Sequence, residues 1–354
     1  MSAIEGPLRL GTRRSKLAMA QSGQVAEQVR QTTGRPVELV EITTYGDVSK
    51  EQLAQIGGTG VFVSALREAL LNGEIDFAVH SLKDLPTAQP AELALAAVPR
   101  REDPRDALVA RDGLGFEQLV AQAPALPDRP APGNEPSAAA PRSGSGGEGR
   151  PIRIGTGSPR RMAQLNAWAR ALGRQVETVP IRGNVGTRIG YVRSGELDAV
   201  VLAAAGLTRI GRIGEATELI APDAVLPAPG QGALAVECVG TDTLLAARLA
   251  QLDDPFTRAA VHAERTLLAA LEAGCSAPVG ALADMLVDGQ VVTEMRLRGV
   301  VGTTDGSTLV QLSATGPTPA SVDEVMTYSE RMGRELADAM LAKGAAGLMG
   351  ERAL

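Results

Sequence analysis

The chain has 354 residues, 44% hydrophobic and only 2% aromatic, with a net charge of −6 at neutral pH. That length and apolar share fit a soluble globular protein of two or three domains, at about 150 residues per domain. The acidic balance and the scarcity of aromatic rings exclude a general binder of nucleic acid or of anionic membranes. The longest apolar run, LDAVVLAAAGL, is too short for a bilayer span, which needs about 20 residues. The N-terminal MSAIEGPLRL lacks the basic and apolar regions of a signal peptide, so a cytoplasmic α/β protein is expected. Two cysteines without a CxxC and two histidines supply neither a disulfide framework nor a zinc site, and no metal is expected.

In chain order, LRLGTRRSKLAMAQSGQVAEQV predicts a short strand, a Gly-Thr turn carrying Arg13, Arg14 and Ser15, and an amphipathic helix. PVELVEI follows as a strand. LNGEIDFAVHSLKDLP then reads as a helix end, a glycine, a buried strand and a polar loop bearing His80, Lys83 and Asp84. From about 117 to 150 an insertion interrupts the pattern. Its residues 121–150, dominated by Pro, Gly, Ala and Ser, keep no apolar period and predict a disordered surface loop.

The grammar then returns. IRIGTGSPRRMAQLNAWARAL repeats strand, Gly-Thr turn (Ser158, Arg160, Arg161) and helix, and QVETVPI repeats the second strand. RGNVGTR sets Arg182 and Arg188 in another turn, and RSGELDAVVLAAAGLTR repeats helix end, glycine, strand and polar loop. The matched order of elements predicts two similar lobes with mostly parallel sheets and a ligand cleft at the strand ends. The alternative is that any two βα units look alike. From residue 255 the pattern changes to a helix, a loop LEAGCSAPVG holding Cys275, three strand-like runs parted by the turns DGQ and TDGS, and an amphipathic helix over 320–343. This predicts a small α+β domain.

All but four of the 35 basic residues are arginines, the lysines being Lys16, Lys50, Lys83 and Lys343. Those at the Gly-Thr turns stand where a helix N-terminus and bidentate guanidinium donors together favour carboxylate or phosphate. The set suggests a ligand with several anionic groups, against the plainer reading of solvated surface charge. Asp84 beside Lys83 is either a surface ion pair or a carboxylate facing N–H groups across a cleft. His80 has no nucleophile arrangement near it in sequence, so a triad is weakly supported. GGTG and GNVG fit neither a Walker loop nor a dinucleotide fingerprint. Cys275, on a loop of small residues, reads as an accessible thiol, whereas Cys238 in GALAVEC reads as a core residue.

Taken together, GTRRS, IGGTGVFVSALREALL, DFAVHSLKDLP, REDPRDA, GTGSPRR, IRGNVGTR, LPAPGQGALAVEC and EAGC resemble porphobilinogen deaminase, also called hydroxymethylbilane synthase. The motifs keep the family's order and span most of the chain outside 117–150. The resemblance implies two similar doubly wound, periplasmic-binding-protein-like lobes plus a small C-terminal α+β domain. These would be residues 1–102 with 231–250, residues 103–230 including the insertion, and residues 251–354. It implies a transferase that condenses four porphobilinogen molecules head to tail, releasing ammonia, into the linear tetrapyrrole hydroxymethylbilane. The cofactor would be a dipyrromethane joined to Cys275 by a thioether. Asp84 would be the catalytic carboxylate and would also hold the cofactor, with Lys83, Ser158, Arg160, Arg161, Arg188 and Arg209. Arg13, Ser15, Gln21, Arg182 and Gln231 would bind substrate. The implied partner is porphobilinogen alone, without nucleic acid or membrane, and the implied state a monomer.

Thr59 in the glycine loop, Pro159 and Ala273 depart from the family's commoner pattern, and none removes a proposed chemical group. Two rivals use the same residues differently. A non-catalytic two-lobed binder of a polyanion has no use for Cys275, and a thiol hydrolase would pair Cys275 with His262 or His80.

Overall fold

A computed structural model describes residues 6–43, 61–126, 150–273, 277–288, 291–319 and 321–349. Thr59, most of the insertion and Cys275 lie outside them. The first lobe begins with β1 (Leu8–Thr12), α1 (Lys16–Thr33) and β2 (Val37–Glu41), followed by α2 (Val61–Leu71), β3 (Phe77–Ser81) and β4 (Leu93–Ala97). β5 (Asp106–Ala110) and α3 (Phe116–Val120) precede the insertion, and β6 (Ile152–Gly155), α4 (Pro159–Ala171) and β7 (Val176–Val179) follow it. The second lobe continues through α5 (Val185–Arg193), β8 (Ala199–Ala203), α6 (Ala204–Arg209) and β9 (Glu218–Ile220). β10 (Leu234–Val239) and α7 (Thr243–Leu249) lead to α8 (Pro255–Ala270). The last domain holds β11 (Val279–Asp288), β12 (Val291–Gly302), β13 (Leu309–Pro317) and α9 (Val322–Ala342).

The two lobes share one topology. Their five-stranded sheets run β2-β1-β3-β10-β4 and β7-β6-β8-β5-β9. In each, the first three strands are parallel and the fourth is antiparallel to both its neighbours. That antiparallel strand always follows a crossing between lobes: β5 after the segment 98–105, β10 after the segment 221–233. The chain therefore passes twice through one seam, which is where polar groups from distant positions meet.

The equivalent turns diverge where their residues do. After β3, Leu82–Asp84 forms a single 3-10 turn that Pro86 prevents from extending. After β8, the alanine-rich AAGLTR lacks proline and continues as α6 instead of the expected polar loop.

The insertion also begins later than its composition suggests. Residues 117–120 complete α3, where Leu119 and Val120 are fully buried, and Ala123 packs into the same core. Ala125 bridges to Arg174, so the described chain holds its place through residue 126. The apolar side chains before Pro127 outweighed a bias that only the later residues carry in full.

The last domain is a three-stranded antiparallel sheet with α8 and α9 packed on it through Leu267, Leu336 and Met340, among others. Its β12–β13 hairpin tip rests on α4: Asn166 Nδ2 donates to Thr304 O at 2.7 Å and Arg170 Nε to Asp305 O at 3.0 Å. Gly306, at φ +69°, sits so close that a Cβ there would lie 2.3 Å from Ala167 N. Only glycine fits both conditions.

Candidate active site at the seam between the lobes

The sequence SLKDLP alternates burial. Leu82 and Leu85 are 0% and 3% exposed and pack with Val63, Val98 and Val261, while Lys83 is half-buried and Asp84 exposed. Burying a leucine contributes about 1.5–3 kcal/mol, so two such anchors hold the turn between them. Lys83 Nζ donates to Gln231 Oε1 at 3.2 Å. Loss of water pushes the Lys83 ammonium down, as do the charges of Arg161 and Arg160, against the pull of Asp84 and Asp106, and its pKa falls to about 8. The Asp84 carboxylate forms no hydrogen bond or salt bridge among the described residues.

Asp106 is the hub. It is 0% exposed, at the head of the wholly apolar remainder of β5. Its Oδ1 accepts from Arg161 Nη2 and from Gln231 Nε2, both at 2.7 Å, and its Oδ2 lies 2.9 Å from Arg160 Nη2. Burial alone would raise its pKa, but the two guanidinium charges and these hydrogen bonds outweigh it and keep it ionised far below the usual carboxylate range. Arg161 Nη1 also donates to Val201 O at 2.9 Å, and Arg160 Nη1 to Leu226 O. Gln164 closes the set, taking Leu226 N at 2.7 Å and donating to Leu226 O at 3.0 Å. A continuous path thus runs from Lys83 through Gln231 and Asp106 to the first turn of α4.

Positive charge exceeds negative here. Lys83, Arg160 and Arg161 surround one buried carboxylate. Arg188 stands within range of Arg161, and burial followed by that neighbour lowers its pKa. Its Nε donates to Gly183 O at 2.8 Å. Arg209 is lowered by burial too, opposed by Glu102, and donates to Gly232 O at 2.6 Å. The Nε groups of Arg160 and Arg161 are buried with no hydrogen-bond partner among the described residues.

The two Gly-Thr turns differ in use. Ser15 caps α1 by accepting from Ala18 N at 3.2 Å, whereas Ser158 makes no capping bond at the start of α4. Arg13 is half-buried beside the Ser15 turn, and Arg182 is exposed just ahead of Asn184, the cap of α5. Gln21 and Gln231 are both buried. Gln21 Nε2 donates to Ser81 Oγ at 2.8 Å, and both ends of the Gln231 amide are engaged, Nε2 also reaching Pro104 O at 2.8 Å.

His80 belongs to another cluster. Its side chain is 4% exposed and its Nε2 lies 3.2 Å from Glu237 Oε2, while Arg67 grips the same carboxylate with Nη2 at 2.7 Å and Nε at 3.1 Å. That burial removes the basis for a hydrolase using His80. Cys238 is core: 0% exposed, its thiol pushed up to about 11 by burial and nearby carboxylates.

Asp106 lies within REDPRDA, where nothing nearby in sequence marks it as a hub. The usable signal was a carboxylate heading an otherwise apolar strand, taken together with consecutive arginines at a distant helix start.

Comparison with known proteins identifies the family. The family model described as "Porphobilinogen deaminase, dipyromethane cofactor binding domain" matches residues 8–247, and "Porphobilinogen deaminase, C-terminal domain" matches 258–342. Porphobilinogen deaminase 1 of Streptomyces avermitilis is 73% identical over 98% of this chain and 99% of its own. Porphobilinogen deaminase 1 of Streptomyces coelicolor is 68% identical over 99% of both chains. The porphobilinogen deaminase of Thermobifida fusca is 51% identical over 96% of this chain and 94% of its own. Among solved structures, a Salmonella typhimurium periplasmic binding protein of high arginine specificity aligns over 72% of this chain and 94% of its own. It does so at 11% identity and a TM-score of 0.35, too slight a likeness to bear on the site. With family models matching 8–247 and 258–342 in order and relatives at such identity over nearly the whole chain, the chain belongs to the porphobilinogen deaminase family.

Proposed function

We propose that the seam is where four porphobilinogen molecules are joined head to tail into hydroxymethylbilane, with loss of ammonia at each step, and that Asp84 is the carboxylate acting on the reacting rings. The observation that carries this reading is Asp84 itself: an exposed carboxylate without a salt bridge among the described residues, on the same turn as a lysine that faces an excess of buried cations. Departure of ammonia leaves positive charge on the pyrrole. A fixed carboxylate accepting from the ring N–H stabilises that charge as it develops, which is where electrostatic catalysis acts most strongly.

The family's dipyrromethane fits the residues present. A ligand with four carboxylates suits a pocket with surplus guanidinium groups, two buried Nε atoms lacking partners among the described residues and a serine hydroxyl left out of helix capping. Lys83, Ser158, Arg160, Arg161, Arg188 and Arg209 would hold its side chains, and Cys275 its thioether. When bound, the group supplies the nucleophilic pyrrole carbon on which the chain is extended. Arg13, Ser15 and Arg182 would take the carboxylates of incoming porphobilinogen, with Gln21 and Gln231 fixing the surfaces behind them.

We further place the division at residues 1–102 with 231–250, 103–230, and 251–354, and assign a monomer working in the cytoplasm. The shared seam supports this division, and among the described residues no helix is long and apolar enough to cross a membrane. Asp84→Asn keeps the shape and removes the charge. With cofactor attachment first verified by intact mass, its turnover should fall by at least about a hundredfold, and Asp84→Glu should retain more. Wild-type turnover by the loaded Asn protein would reject the assignment.

A further inference from the structure

Because the Asp84 carboxylate forms no hydrogen bond or salt bridge among the described residues, its position is set by the backbone of its turn. That backbone is held from the other domain. Arg265, on α8, donates Nη1 to Leu82 O at 3.2 Å and to Leu85 O at 2.9 Å, and Nη2 to Pro86 O at 2.6 Å. Four residues earlier on α8, Val261 is 3% exposed and packs in the cluster that includes Leu82 and Leu85. Residues four apart share a helix face, so one face of α8 meets this turn with an apolar contact and a three-carbonyl grip. The same helix ends at Ala270 and leads through Leu271, Glu272 and Ala273 toward Cys275.

We propose that Arg265 is a positioning residue that locks the Lys83–Asp84 turn to the helix leading into the Cys275 loop, so that the domain anchoring the cofactor also sets the reacting carboxylate. The inference rests on Asp84 acting as proposed above. The planar guanidinium suits the task. Its two Nη groups together reach three carbonyls, those of Leu82, Leu85 and Pro86, on both sides of the Lys83–Asp84 pair. A lysine places one compact charge there and cannot hold all three in a fixed arrangement.

The test compares Arg265→Met and Arg265→Lys with wild type in the full-length, cofactor-loaded protein, checked by intact mass. We expect kcat to fall about tenfold to a hundredfold in the Met variant, the scale of a roughly 1 Å misplacement, with the KM for porphobilinogen little changed and Lys in between. Hydrogen exchange supplies a readout independent of activity. The amides of Leu82 and Leu85, bonded to Ala233 O and Leu82 O, should exchange faster in Met while those of β10 hold. Asp84→Asn and the double variant with Arg265→Met should turn over alike, because Arg265 acts through Asp84. Wild-type kcat in Arg265→Met, or unchanged exchange at the turn, overturns the proposal, as does additive loss in the double variant. If Arg265→Met fails to fold, the Lys variant decides by the same exchange and kcat measurements. Full activity of Asp84→Asn would instead strike the functional reading beneath it.

Discussion

Arg101 and Glu264 form a two-pronged ion pair, Nη1 to Oε1 at 2.6 Å and Nη2 to Oε2 at 3.0 Å, with the carboxylate sealed from solvent. Glu264 also accepts from Gly230 N at 2.7 Å and Ala283 N at 2.9 Å, and Arg101 Nε donates to Gln231 O at 2.8 Å. One carboxylate therefore ties together both crossing segments, α8 and β11. Removing one partner of a buried pair leaves an uncompensated charge, which costs about 3–5 kcal/mol. Arg101→Met should lower stability by that order in chemical denaturation. Exchanging both residues for apolar ones of similar volume should cost less. A wild-type denaturation midpoint for Arg101→Met would show that the pair adds no net stability.

Glu237 makes the first lobe sensitive to acid. Burial raises its pKa, but the close approach of His80 Nε2 and the two hydrogen bonds from Arg67 outweigh burial and bring it down to about 2, from an ordinary value of 4.5. The ionised form is thus favoured in the fold. Its contribution is complete above about pH 4.5 and is lost as pH falls from there to about 2, a span of roughly 3 kcal/mol. Glu237→Gln should unfold more readily at pH 7 and lose this part of the acid dependence. Equal slopes of stability against pH for the two proteins between 5 and 3 would count against the assignment.

Which features could be read in advance follows from how local their causes are. The two Gly-Thr turns, the buried strand before Lys83 and the core position of Cys238 rest on neighbours within a few residues. Asp106 and Glu264 do not. Asp106 meets Arg161 and Gln231 at separations of 55 and 125 residues, and Glu264 meets Arg101 at 163. In a linear reading each is one more charged residue beside an arginine. The crossing of β5 and β10 between sheets, which brings these groups together, likewise leaves no periodicity. Gln231 shows the same limit: its amide partners Lys83, Pro104 and Asp106 lie more than a hundred residues away in sequence.

Loss of the insertion should leave catalysis nearly intact. The chain before it is held by Leu126 N to Gly173 O at 3.0 Å, and the chain after it by Arg150, whose Nη2 lies 2.8 Å from the buried Asp198 Oδ1. Both anchors are made to the second lobe itself. Loop closure varies only slowly with length, so a short Gly-Ser linker in place of residues 128–148 should keep kcat within about twofold. A folded but inactive variant would give the insertion a part in function.

The pKa of Lys83 leads to the most direct test of the anion site. It stands at about 8 instead of 10.5 because burial and the Arg161 and Arg160 charges disfavour the ammonium, with Asp84 and Asp106 opposing them. Without ligand, that charge costs stability below about pH 8, and the cost is relieved as pH rises toward 10.5. Lys83→Met should therefore be more stable than wild type at pH 7 by about 1–3 kcal/mol, discounted for the partial exposure of the side chain. A bound carboxylate reverses the preference by favouring the ammonium, so binding above pH 8 takes up a proton. Affinity should be greatest below about pH 8 and fall above it, by up to about tenfold per pH unit while one proton is linked. A pyrrole polycarboxylate without an aminomethyl group is the suitable probe, because only the protein then titrates between pH 7 and 9.5. Lys83→Arg keeps its charge throughout that range and should bind with little pH dependence, though less well, since a fork replaces a point donor to Gln231. Lys83→Met should bind weakly at every pH. If wild-type affinity does not change between pH 7 and 9.5, Lys83 does not meet the ligand's carboxylates, and the surplus of positive charge at the seam must be answered by Arg160, Arg161 and Arg188 alone.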